Sequence, residues 1–196
     1  MAVRKTARMA QLALTASALL LMVTLSSARA AEPALVAFGA CRDGLPNGPY
    51  ELRMPDGRVR AVGAFHEGKR TGTFFFWSAD GGRLAAIPYD NDVRNGTIAL
   101  WHQRGKPAHE AGRKLEAPVV AGRPHGVRRS WYETGGLRAE ASFDRGGLVE
   151  AQVWTRSGHP LATADAKRMA LQDAHGEETY IAALERIVAR HRPQCE

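Results

Sequence analysis

The sequence predicts a mainly β protein: an elongated antiparallel meander of about five repeated β-hairpins, with a C-terminal helical segment packed on or capping the sheet. Three observations predict it. Glycines recur at a fixed spacing through the middle of the chain. All four tryptophans fall at one position of that spacing. The glycine rhythm then stops where a helical pattern begins. The expected organisation is a leader over 1–30, a lead-in over 31–43, hairpin repeats over 44–161 and a helical segment over 162–196.

Arg4, Lys5 and Arg8 precede a short apolar run from Leu12 to Leu25. Ala28-Arg29-Ala30 then places small residues where a signal peptidase cuts. This three-part pattern is a secretory leader, with cleavage expected after Ala30. An uncleaved anchor is the alternative, but the run of about 14 apolar residues is short of the roughly 20 that span a bilayer core. The leader also changes the charge. The chain has 27 Lys+Arg and 20 Asp+Glu, a formal +7. Removing 1–30 takes four basic residues and no acid, leaving 23 basic against 20 acidic residues and a net of +3. No stretch of the remainder interleaves clustered Lys/Arg with aromatics as a nucleic-acid groove does. Arg128-Arg129, near Trp131 and Tyr132, is the one basic doublet of the repeats beside aromatics. A nucleic-acid partner is therefore not expected.

Cys41 and Cys195 are the only cysteines. In an oxidising compartment such a pair is usually bonded. Free thiols and pairing between chains are the alternatives.

Gly48, Gly72 and Gly96 are 24 residues apart, and Gly126 follows after 30. Nine residues after each comes another glycine: Gly57, Gly81, Gly105 and Gly135. Trp77, Trp101 and Trp131 each lie five after the reference glycine, and Trp154 lies four before Gly158 in a fifth, degenerate repeat. Phe65, Tyr89 and Phe143 share a position as well. Such registration signals a repeat architecture. One repeat reads as a hairpin. Thr73 to Trp77 is β-branched and aromatic, Asp80-Gly81 is turn chemistry, and Arg83 to Tyr89 returns. Strand parity places Val59, Ala61, Gly63 and Phe65 on one face, and likewise Leu137, Ala139, Ala141 and Phe143. It places Trp77, Trp101, Trp131 and Trp154 together, with Tyr50, Phe74 and Ile98 opposite. The second repeat is apolar on both faces, so another part of the chain or a partner must cover each.

This pattern resembles the MORN repeat, in its bacterial antitoxin-like variant. The matching residues are Gly48, Tyr50, Asp56, Gly57 and Phe65; then Gly72, Phe74, Trp77, Asp80, Gly81 and Tyr89; then Gly126, Trp131, Tyr132, Gly135, Leu137, Glu140 and Phe143. The resemblance covers about residues 44–161 and implies an interaction module that binds protein partners or membrane lipid. The third repeat departs from it, with Arg113 in place of the aromatic.

The C-terminal segment is helical in composition from Ala164 to Ala174 and a better helix from Glu177 to Arg190. Tyr180, Ile181, Leu184, Ile187 and Val188 form its apolar face. Ten strands at about 4.8 Å put the ends of the array some 43 Å apart. Cys195 therefore reaches Cys41 only if this segment folds back along the sheet.

Catalytic patterns are absent from the sequence: no His-x-x-x-His, no Gly-x-Ser-x-Gly and no P-loop. His102 and His109 flank a turn without metal-ligand spacing. The expectation is an exported, non-catalytic protein without a cofactor or metal, binding an unknown protein partner through one face of the meander. The candidate surface comprises Phe75, Trp77, Trp101 and Trp131, with Arg128 and Arg129 on its flank. Packing of the tryptophans beneath the helical segment is the competing reading for them. The alternative function is an envelope-associated structural protein contacting lipid or peptidoglycan.

Overall fold

A computed structural model describes residues 34–103 and 112–196. The expected leader lies outside the described residues, as do Gly105 and His109. Among the described residues the protein is mainly β, with strands in a single antiparallel meander and one helix packed against it. The strands are β1 (Val36–Arg42), β2 (Leu45–Arg53), β3 (Val59–His66), β4 (Lys69–Trp77), β5 (Arg83–Asp90), β6 (Val93–Arg94), β7 (Gly96–Trp101), β8 (Arg113–Val120), β9 (Arg123–Pro124), β10 (Gly126–Trp131), β11 (Leu137–Asp144) and β12 (Gly147–Val153). Ten of them follow one another across the sheet in chain order; β6 and β9 are short lead-ins to β7 and β10. Those two interruptions face Pro88 and Pro118, which have no N–H to give to the ladder.

Turn chemistry repeats as the glycines do. Asp43-Gly44, Glu67-Gly68, Asn91-Asp92, Ala121-Gly122 and Arg145-Gly146 all have positive φ at both residues, the two-residue turn that matches strand twist. The hairpin turns that open at Met54, Ser78, Tyr132 and Thr155 share one hydrogen-bond pattern, each N–H reaching the carbonyl four residues on.

The helix α1 (Thr163–Arg190) is continuous for 28 residues, through Gly176. At about 1.5 Å per residue it is some 42 Å long, the width of the ten-strand sheet. It crosses the strands in reverse order. Ala166 packs on Ala139 and Val153, and Ala170 on Ala141, Phe143 and Ala151. Asp173 meets Arg138, and Glu177 meets Arg128. Glu185 takes Arg94 at 2.6 Å and the Tyr89 hydroxyl at 2.6 Å. The Tyr50 hydroxyl donates to the His191 carbonyl at 2.9 Å. Burial holds both tyrosine pKa values well above their usual range, so the hydroxyls stay protonated and donate. The chain ends with Cys195 bonded to Cys41, 154 residues apart, at a Cα separation of 5.7 Å.

The core lies between this helix and one sheet face. A single row of paired residues runs beneath it: Ala37, Leu52, Ala61, Phe76, Ala85, Leu100, Leu115, Ser130, Ala139 and Val153. Ile181, Leu184 and Val188 close it from above.

The parity expectation fails at one position in each described hairpin. The ladder skips Arg60, Leu84, Lys114 and Arg138, so each is a bulge residue. A bulge turns the extra residue and its neighbour to the same side. Arg138 therefore joins Ala139 on the helix side, and Leu137 pairs with Trp131 instead and is 37% exposed.

Candidate functional site

The helix covers the face that carries Tyr50, Phe74, Phe76 and Ile98. The other face bears Phe75, Trp77, Trp101 and Trp131. Within the second repeat the alternation is sharp: Phe74 is 0% and Phe76 2% exposed, while Phe75 between them is 36% exposed. No tryptophan belongs to the clusters packed between helix and sheet, although Trp101 and Trp131 reach the edge of a cavity beside the helix.

One paired row spans this open face from edge to edge: Phe38, Glu51, Val62, Phe75, Ala86, Ala99, Glu116, Arg129, Glu140 and Gln152. Its centre, Val62 to Ala99, is apolar over four strands. Its flank beyond Ala99 is charged, with Arg129 bonded to Glu140 at 2.8 Å and Arg113 to Glu116 at 2.9 Å. Small Ala86 and Ala99 at the centre lie low between larger neighbours. Phe75 and Trp77 stand over one side of them, ring centroids 6.2 Å apart.

A second row runs beside the first, where tryptophan alternates with arginine across the strands. Trp77 pairs with Arg83, and Trp101 with Arg113. The guanidinium carbons of Arg83 and Arg113 stand 5.0 and 4.7 Å from the Trp101 ring centre. Both distances fall within cation–π range. The hairpin register causes this: the last residue of each first strand faces the first residue of the returning strand, and in the second and third repeats the sequence puts Trp and Arg there. An apolar centre with a charged rim is the layout of a protein–protein interface. Nothing in this arrangement provides a nucleophile with its base. Among the described residues no group of three or more His, Cys, Asp or Glu is placed to hold a metal ion.

The site expectation needs one correction. Arg128 and Arg129 are adjacent strand residues and so point to opposite faces. Arg129 is on the open face. Arg128 is beneath the helix, 4% exposed and ion-paired with Glu177. It belongs to the sheet–helix contact and offers nothing to an outside partner. The sequence reading missed Arg83 and Arg113, whose equivalent repeat positions were the available signal.

No protein-family model matches the chain, and no curated protein matches it.

Proposed function

We propose that this is an exported, non-catalytic repeat protein of MORN type that binds a protein partner across the open sheet face. The observation that carries the reading is the second repeat, whose Phe74 and Phe76 are sealed by the helix while Phe75 is exposed and Trp77 half-buried on the opposite face. The Cys41–Cys195 bond suits an oxidising compartment and supports the export reading. The partner meets an apolar centre of Val62, Phe75, Ala86 and Ala99, a Trp–Arg ledge beside it, and charged positions at Glu116, Arg129 and Glu140.

The test is comparative capture from the exported and envelope fractions of the source cells. The wild-type protein retains one stoichiometric protein, and Phe75→Ser/Trp101→Ala loses it while keeping its unfolding midpoint near the wild-type value. Sedimentation with anionic phospholipid vesicles and with isolated sacculi runs alongside. Salt-sensitive sedimentation without any retained protein would replace the partner reading with the envelope one.

A further inference from the structure

A different feature lies on the covered side of the sheet. Where the helix passes over β8, β10 and β11 it leaves a cavity of about 540 Å³. That is the size of pockets that take small organic ligands. Its lining comes from positions distant in sequence: the bulge residues Lys114 and Arg138, Ser130 on the strand between them, Tyr132, and Gly176 and Tyr180 of the helix.

Hydrogen-bond capacity is left over here, and it is mostly of one kind. Ser130 is 2% exposed, and its hydroxyl has no partner among the described residues. Arg128, two residues earlier on the same strand, does not line this cavity; it gives Nη2 to Glu177, which does. Asp173 is taken by Arg138, and Glu177 by Arg128. Lys114 and Arg156 make no ion pair with a described residue. They stand over aromatic rings instead, Lys114 Nζ 6.0 Å from the centre of Tyr180 and the Arg156 guanidinium 5.5 Å from that of Tyr132. Against them only Glu133 among the lining carboxylates is without such a pair. Buried donors are ordinarily matched by acceptors. The lining holds three cations, Lys114, Arg138 and Arg156, and three carboxylates, Glu133, Asp173 and Glu177; with Asp173 and Glu177 paired, Lys114 and Arg156 stand against Glu133 among the described residues.

Gly176 lines the cavity from the helix, at a solvent-exposed position. It is the one glycine of α1, and a mid-helix glycine weakens a helix relative to almost any other residue. Packing does not demand it, because a Cβ there would meet no atom within 4 Å. Gly176 lies on the same edge of the helix as Asp173 and Tyr180, which also line the cavity, so a large side chain at 176 adds bulk at its mouth.

We propose that this cleft binds a small ring-bearing organic anion. Its carboxylate or phosphate is held by the Ser130 hydroxyl and the Lys114 ammonium, which sit on adjacent strands, and its ring lies between Tyr132 and Tyr180. Trp101 and Trp131 of the open face also reach the edge of this cavity, but ligand binding here does not depend on a partner on that face.

Titration calorimetry and ligand-observed NMR on the folded, disulfide-bonded protein test this with benzoate, phenyl phosphate and neutral benzyl alcohol. One of the two anions saturates a single site, and the comparison between them shows which oxyanion is preferred. Benzyl alcohol binds at least about tenfold more weakly, as expected where charge-assisted hydrogen bonds carry recognition. Ser130→Ala and Lys114→Gln each weaken the preferred anion several-fold. Gly176→Leu abolishes binding with an unfolding midpoint equal to or above wild type, so the loss is not one of folding. The proposal is overturned if neither anion saturates at millimolar concentration, if benzyl alcohol binds equally well, or if the Gly176→Leu protein binds as the wild type does.

Discussion

Gly63→Ala is a one-methyl change whose sign separates two physical arguments. Gly63 faces the helix from β3, paired with Tyr50 on β2. It is not among the positive-φ residues, so its backbone suits alanine. On backbone grounds alone the substitution should stabilise, by about 0.5–1 kcal/mol. The structure predicts the opposite. A Cβ at 63 would lie 2.6 Å from three ring atoms of Phe74. That ring has nowhere to go. It is 0% exposed and is packed by Tyr50, Phe65 and Tyr89 at centroid distances of 6.0, 5.6 and 5.5 Å. Overpacking of this kind costs about 1–3 kcal/mol, leaving a net loss of about 1–2 kcal/mol. For a protein of this size that lowers the unfolding midpoint by about 3–6 °C. Calorimetry or urea unfolding measures it. Phe74→Leu should be less damaging in the Gly63→Ala background than alone, with a coupling of about 1 kcal/mol. An unchanged or raised midpoint for Gly63→Ala would refute the close packing of Phe74 on Gly63.

The disulfide and the ion cluster give two more predictions. Cys41→Ser/Cys195→Ser removes a bond closing 154 residues, and loop entropy sets its contribution at about 5 kcal/mol at most. Urea unfolding should show a loss of a few kcal/mol, and a loss below about 1 kcal/mol would contradict a tail pinned to β1. The Glu185 carboxyl is pushed up by burial, but hydrogen bonds from Arg94 and Tyr89 and the charges of Arg94 and Arg70 outweigh this and hold its pKa below the usual value. A lowered folded pKa contributes stability that is full above the unfolded value, about 4.3, and is lost as pH falls through the folded one. Midpoints recorded from neutral pH into acid should therefore fall below about pH 4.3 in the wild type. Glu185→Gln should lower the neutral-pH stability by about 2 kcal/mol and flatten that acid limb. An acid limb of equal steepness in Glu185→Gln would exclude Glu185 as its source.

The hairpin array was legible because its signals are local. Glycines mark turns, and the Trp77, Trp101 and Trp131 spacing fixes where each first strand ends. Cys41 and Cys195 were informative through geometry: a bond between them requires the helix to run back across the strands, as it does. Register was the first thing the sequence hid. Arg60, Lys114 and Arg138 read as ordinary strand residues, and only the pairing shows them to be bulges. That one-residue slip moved Val59 and Leu137 out of the expected row. The helix looked divided at Gly176 because its first half buries alanines, Ala166 and Ala170, which form a weak stripe by hydropathy but let the sheet approach closely. The same limit hid the role of Arg128, whose partner Glu177 is 49 residues away. It also hid the cleft, which exists only where polar residues of the strands and the helix come together.

The central claim is that the sheet has one sealed face and one free to dock. Hydroxyl-radical footprinting of the free protein tests it most directly, because Phe74, Phe75 and Phe76 provide adjacent reporters of both faces. The account predicts rapid modification of Phe75, with Trp77 and Trp101 also reactive, and strong protection of Phe74 and Phe76 until the helix is released. Equal protection of Phe75 and its two neighbours in the monomer would contradict it.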